Sequence, residues 1–381
     1  MLGIVIITVA VIIAILGYTI TNDSTPMADD QVLQISTRPP GFTCTMLLKR
    51  KDKEDKKISF FHKMLYGKTN VYEMIPIRSI KYSKENISYE ELTKSSRSGL
   101  VKELSYLDIL GYKKGINGID TVFLSADSIH IIKGAKMESI AFSQAQTDVK
   151  NNNLIEKKYL LGTDKFGRDM LSRLIIGCRI SLSVGLIAVI ISLLIGVTLG
   201  AIAGYYRGWI DDVIMWIINV IWSIPTLLLI FAITLAFGKG FGIIFIAVGL
   251  TMWVEVARII RGQVLSLREK EYIEAARSLG FSNMRIIALH VLPNVMGPVM
   301  VIAASNFATA IIVEAGLSFL GIGVQPPQPS WGSMMKENYE LIIGHNPLLA
   351  IIPGIAIMIL VLAFNFLGNG LRDAMDVKGK M

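Results

Sequence analysis

The stretch Glu271-Tyr-Ile-Glu-Ala-Ala-Arg-Ser-Leu-Gly280-Phe-Ser-Asn-Met-Arg-Ile-Ile-Ala-Leu-His290-Val-Leu-Pro-Asn294 decides how the chain is read. Tyr272, Ala275, Ala276 and Leu279 recur at i, i+3, i+4 and i+7, which predicts one apolar face of a helix. Gly280 follows at the position where a residue with positive φ ends a helix. Ser282 suits the cap of a second helix. Met284, Ile287, Ala288 and Val291 then repeat the spacing, and Pro293 fits the first turn of a third. The spacing therefore predicts two short amphipathic helices bent at a glycine. Two readings fit it: a helix pair resting on lipid, or a docking element for another protein.

On both sides of this stretch the sequence turns apolar. Residues 2–20 carry no charge and are long enough to span a bilayer core as a helix. No basic region precedes them and no small-x-small cleavage pattern follows closely, so they read as a retained anchor rather than a signal peptide. Five further apolar segments lie at about 180–204, 213–237, 241–259, 295–315 and 348–367. Backbone groups in lipid must bond within their own segment, so all six are expected to be helices. Gly238-Lys239-Gly240 leaves room only for a tight hairpin between the third and fourth. Gly196, Gly200 and Gly204 form a close-packing face. Pro225 and Pro353 are kink candidates.

Basic residues orient the array. Arg207, Arg258, Arg261, Arg268, Lys270, Arg277, Arg285, Arg372, Lys378 and Lys380 fall on one side, against Lys239 and Lys336 in the short loops of the other. The first side is expected to be cytoplasmic, with both termini on it. Lys165, Arg168, Arg173 and Arg179 run against this rule, but they continue a long translocated segment.

That segment, residues 23–160, is different material. It holds 22 of the 38 Lys/Arg and 17 of the 30 acids, a net +5 of the chain's +8. Phe42, Cys44 and Met46 alternate with Thr43 and Thr45, a strand pattern. Residues 71–82 and 121–132 are rich in β-branched and aromatic side chains. Ser88-Tyr89-Glu90-Glu91 has capping-box spacing and could open a helix, and residues 49–57 read as a solvated turn. The expectation is a small mixed α/β extracytoplasmic domain inserted between the first and second spans.

Composition excludes other classes. Hydrophobic residues make up 52% of the chain and charged ones 18%, with mean hydropathy +0.53. An ordinary soluble enzyme carries more charge. A nucleic-acid binder concentrates its basic residues on a compact polar domain, so no nucleic-acid partner is expected. No Gly-x-x-x-x-Gly-Lys-Ser/Thr phosphate cradle, His-Glu-x-x-His, Cys-x-x-Cys or Gly-x-Ser-x-Gly occurs. Cys44 and Cys178 have no metal spacing and imply no disulfide framework. No catalytic residue, metal ligand or cofactor site is expected in this chain.

Glu274-Ala275-Ala276, then Gly280, then His290-x-Leu292-Pro293-Asn294 resembles the coupling loop of ABC-importer permeases. The form with histidine is similar to that of the dipeptide/oligopeptide/nickel permease family. Leu161-Gly162-Thr163-Asp164, Gly167-Arg168-Asp169, Ser172-Arg173, Arg179 to Leu182, Glu314 to Gly321, Gln325-Pro326-Pro327, Ser330-Trp331-Gly332 and Asn365 to Asp376 resemble that family's second permease subunit, in order. The resemblance covers residues 158–377 and the first span. It implies an all-α polytopic protein of the cytoplasmic membrane with six transmembrane helices and the type I importer permease fold. Its parts would be a first span in 1–22, an inserted domain in 23–160 and a permease core in 161–381, with a coupling loop in 261–293. It also implies partners: a second homologous permease, two cytoplasmic ATPases that bind ATP and Mg, and an extracytoplasmic substrate-binding protein. Tyr272, Glu274, Ala275, Ala276, Leu279 and Gly280 would couple to an ATPase. Two features depart from the family: Met1 almost opens the first span, and the segment between spans one and two is much longer than its norm.

The implied function is ATP-driven import of peptides by alternating access. Import of nickel chelates or another small solute through the same permease type is the alternative. A self-contained secondary transporter would favour charges within the spans or inverted repeats, and neither is evident. A membrane-anchored enzyme would need a catalytic cluster in 23–160. Glu314, near the end of the fifth span, is an ionisable residue at membrane depth and so a candidate gate or substrate contact. Pairing with the partner permease is the competing reading. Glu255 and Arg258 are expected to pair at i,i+3, and Asp169 with Lys165 and Arg173 on a helix surface. His345 reads as a solvated loop residue.

Overall fold

A computed structural model describes residues 1–53, 58–93, 99–113, 119–134, 136–238, 240–343 and 346–375. Lys239, His345, Lys378, Lys380 and the 54–57 part of the 49–57 turn lie outside them. The described chain divides into two units, one of residues 16–175 and 340–349 and the other of 1–15, 176–339 and 350–381.

The first helix, α1 (Leu2–Ile20), is the uncharged run that opens the chain. The unit that begins at Leu16 contains a five-stranded antiparallel sheet of order β4-β3-β2-β1-β8. Its strands are β1 (Phe42–Arg50), β2 (Tyr72–Tyr82), β3 (Asn86–Glu91), β4 (Val101–Ser105) and β8 (Leu154–Tyr159). A second, three-stranded sheet joins β5 (Thr121–Leu124), β6 (Ser128–Lys133) and β7 (Lys136–Ala141). Three helices accompany them: α2 (Phe60–Tyr66), α3 (Tyr106–Leu110) and α4 (Phe142–Asn152). The alternation in β1 sends Cys44 and Met46 to one face, where they pack with Val32, Ile35 and Tyr159. Leu47 points to the other, into a core with Ile75, Ile87, Tyr106, Ile129 and Phe142. The helix expected from Ser88 is instead strand β3. Ile87, Tyr89 and Glu91 alternate inward along it, and this period-2 burial outweighs a local cap signal.

The loop leading to the next helix is fixed by buried charge. Asp164 Oδ1 accepts from the backbone N–H groups of Phe166 (2.9 Å) and Arg168 (3.0 Å), and its Oδ2 accepts from Arg168 Nε at 2.7 Å. Arg168 also reaches Asp29 at 3.0 Å, and Arg173 lies 3.6 Å from Asp164. The expected surface pairs of Asp169 therefore do not form. Asp169 is buried and accepts from the backbone N–H and the hydroxyl of Ser172. Burial raises its pKa above the usual carboxylate range, against the hydrogen bonds from Ser172.

The other unit is helical. It holds α5 (Met170–Tyr206) from Ile176 onward, α6 (Gly208–Trp222), α7 (Thr226–Phe237) and α8 (Phe241–Arg268). Then come α9 (Glu271–Ser278), α10 (Asn283–Ile286), α11 (Leu292–Leu320), α12 (Trp331–Asn338) and α13 (Leu348–Met375). Among the described residues five helices are long and apolar enough to cross a membrane, and α6 with α7 form a sixth candidate bent by 90°. Pro225 caps that bend. It has no N–H to continue a helical ladder, so the third apolar segment breaks where a kink was expected. Pro353 lies inside α13 without ending it.

The three glycines of α5 meet α8 as the spacing predicts. A Cβ on Gly196 would sit 2.7 Å from the Trp253 carbonyl oxygen, and one on Gly204 2.8 Å from that of Arg261. Only glycine lets these backbones approach so closely. Arg261 donates twice to Asp211, at 2.5 and 2.6 Å, and holds the start of α6 on α8. Arg258 does not pair with Glu255. It donates to Asn219 at 3.0 Å and lies 3.4 Å over the Trp222 ring, where a cation gains from the ring quadrupole.

Candidate functional site: the loop between α8 and α11

The eight-residue α9 begins after Lys270, whose backbone is extended. Glu271 and Glu274 occupy its first turn and Arg277 its last, the arrangement the helix dipole favours. Its end is a Schellman motif. The N–H of Phe281 donates to Ala276 O at 3.2 Å and that of Gly280 to Arg277 O at 3.0 Å. Gly280 has φ +79°, which a residue with a Cβ adopts only at a cost. Ser282 then starts α10 with extended backbone. Residues 287–291 form a π-turn that runs into α11, with Pro293 in its first turn.

One face of α9 roots the loop. Ile273 and Ala276 are buried with Ile286, Ile287, Val291 and Val295, against Ala201, Val256, Ile260 and Val264 of α5 and α8. Burying Ile273 alone stabilises the loop by roughly 1.5–3 kcal/mol. Polar contacts fix the register. Tyr205 donates to Asn283 at 3.0 Å, Arg268 donates to the Tyr205 carbonyl at 2.6 Å, and Arg207 meets Glu269 at 2.6 Å. Phe281 stacks on His290 with centroids 6.0 Å apart, and the Arg285 guanidinium lies 4.4 Å over the Phe281 ring.

The rest of the helix surface is open. Tyr272 is 42% exposed and Leu279 75%, and Glu274, Ala275 and Gly280 are also exposed. Of the six residues singled out in the sequence, Ala276 alone turns inward. The apolar stripe is thus split: Ile273 and Ala276 serve the chain's own packing, and Tyr272, Ala275 and Leu279 remain outward. Ile273 falls outside the stripe as first read. Its pairing with Ala276 at i,i+3 was the available signal for the rooted face. Met284 and Leu289 are also exposed, at 63% and 58%.

Glu314 lies elsewhere, on α11, and is fully buried. Its Oε1 accepts from the Ser318 hydroxyl at 2.7 Å and its Oε2 from that of Ser181 at 3.4 Å. Ser330, the capping residue of α12, is a third hydrogen-bond partner. Ser318 in turn accepts from the N–H of Val324 at 3.0 Å. The carboxyl is therefore enclosed by hydroxyls from α5, α11 and the start of α12. It presents no surface to a substrate in this conformation. Ser181, Ser318 and Ser330 all fall within motifs quoted from the sequence, but nothing in their spacing announces that they converge.

Residues 196–378 match the family described as the binding-protein-dependent transport system inner membrane component. The glutathione transport system permease protein GsiD of Pectobacterium atrosepticum is 43% identical over 221 residues, 58% of this chain and 73% of the relative. The dipeptide transport system permease protein DppC of Alkalihalophilus pseudofirmus is 44% identical over 223 residues, with the same shares. The chain belongs to the binding-protein-dependent transport system inner membrane components. It is accordingly a multi-pass inner-membrane permease, mostly helical, as the sequence led us to expect. A chain of the inward-facing MetNI methionine ABC transporter aligns with TM-score 0.46 at 20% identity, over 54% of this permease and 97% of that chain. Permease subunits of this family carry out transport, and ATP hydrolysis belongs to separate subunits.

Proposed function

We propose that this permease is one of two membrane subunits of an ATP-driven importer of peptides, fed by an extracytoplasmic binding protein and driven by two cytoplasmic ATPases. ATP and Mg are bound by those ATPases and not by this chain. The relatives named for dipeptide and glutathione transport support the substrate class. In this reading the bent α6–α7 pair counts as one span, giving six, with both termini cytoplasmic and residues 23–160 outside.

The observation that carries the coupling role is the divided surface of α9. A helix rooted on one side through Ile273 and Ala276, and apolar but uncovered at Tyr272, Ala275 and Leu279 on the other, is built to transmit force from a partner into α8 and α11. Tyr272, Ala275 and Leu279 would fill a groove of the ATPase, and Glu274 would meet a polar or basic group there. Gly280 sets the bend that presents the helix. Movement of the ATPases on binding ATP would then shift the spans between inward- and outward-open arrangements. Reversing a charge at a desolvated contact is strongly unfavourable. Glu274→Arg is therefore expected to leave membrane insertion intact while abolishing substrate-stimulated ATP hydrolysis by the assembled importer. Unchanged hydrolysis would remove the docking role of this helix.

A further inference from the structure

The helix α2 (Phe60–Tyr66) has no buried residue. Phe60 is 63% exposed, Phe61 69%, Leu65 44% and Tyr66 62%. A seven-residue helix is not stable by itself in water, and this one gains little from packing within the chain. Its far end is nonetheless pinned. The N–H of Lys68 donates to the carbonyl of Ser24 at 2.8 Å, and a Cβ on Gly67 would lie 2.7 Å from that same oxygen. Ser24 is four residues beyond Ile20, the last residue of the apolar helix α1. Four residues reach at most ~14 Å. The end of α2 is thus held near the end of α1, and α1 from Leu16 belongs to the same unit as α2. The surrounding sequence, residues 50–68, carries seven Lys/Arg against three acids.

We propose that α2 is a membrane-interface anchor. Its phenylalanines, Leu65 and Tyr66 rest at the headgroup–acyl boundary of the leaflet in which α1 ends, and Lys53 and Lys63 face anionic phospholipid headgroups. Aromatic rings and basic side chains around a short apolar helix are the combination that this boundary favours. The anchor would clamp the sheet-bearing unit to the bilayer at a second point besides α1. Its inserted position is independent of which side of the membrane that leaflet faces.

The test uses the full chain in vesicles of phosphatidylethanolamine and phosphatidylglycerol. Spin labels are attached at Phe61→Cys or Leu65→Cys, and at Glu138→Cys on the exposed strand β7 as a control, with the native buried Cys44 and Cys178 replaced by serine. The ratio of oxygen to nickel-chelate accessibility is then measured. The expected result is a ratio several-fold higher at 61 and 65 than at 138. Equal ratios at all three positions would overturn the proposal. So would labels at 61 and 65 that lose nickel-chelate accessibility only when a second protein is added.

Discussion

Glu314 is a single residue whose surroundings add a second reading to the first. A carboxyl at membrane depth reads as a gate or a substrate contact. Here Ser318, Ser181 and Ser330 surround it, and it has no exposed surface. Glu314→Ala removes the acceptor and leaves three buried hydroxyls short of a partner. Each unsatisfied buried group costs about 1–3 kcal/mol. The variant should unfold at a clearly lower temperature in detergent, while Glu314→Gln, which keeps an acceptor, should lose less. A substrate contact would behave differently: the melting point would hold and the concentration of loaded binding protein needed for half-maximal transport would rise. The residue's presence in the span was legible from sequence. Its enclosure was not, because residues 133 and 16 positions away supply the hydroxyls, and only tertiary packing brings them together.

Among elements, α9 and the α6–α7 bend show what periodicity does and does not determine. The 3.6-residue spacing gave the helix, its Gly280 stop and the restart at Ser282. It did not divide the apolar stripe into a rooted side and an open side, since both sides are equally apolar in sequence. The prediction follows that division. Ile273→Ala should destabilise the chain by about 2–5 kcal/mol, seen as a lower unfolding midpoint. Tyr272→Ala with Leu279→Ala should leave the midpoint unchanged and weaken association with the ATPases, measured by co-purification. The opposite pattern would assign the open face to internal packing. Pro225 marked the break in the third apolar segment, but a proline alone does not fix a 90° turn. That angle depends on what α6 and α7 pack against, such as the Arg258 contacts with Asn219 and Trp222. In the sheet-bearing unit, the alternation in β1 was legible. The strand β3 was not, because its capping-box letters resemble a helix start and only its neighbours β2 and β4 make it a strand.

For the whole molecule, the distribution of Lys and Arg carries the orientation, and the family assignment carries the transport role. Cys introduced at Ser282 should be protected from a membrane-impermeant maleimide added outside intact cells, and Cys introduced at Ser125, an exposed position of the sheet-bearing unit, should be labelled. Labelling of the first and protection of the second would reverse the proposed topology. The function itself is tested most directly by reconstitution. This chain is placed in proteoliposomes with the proposed second permease and ATPases, and uptake of a radiolabelled dipeptide or tripeptide is followed in the presence of the proposed binding protein. The account predicts uptake that requires ATP and the binding protein, and that disappears when the ATPases are left out. Peptide uptake by this chain alone, driven by an ion gradient without ATPases, would contradict it.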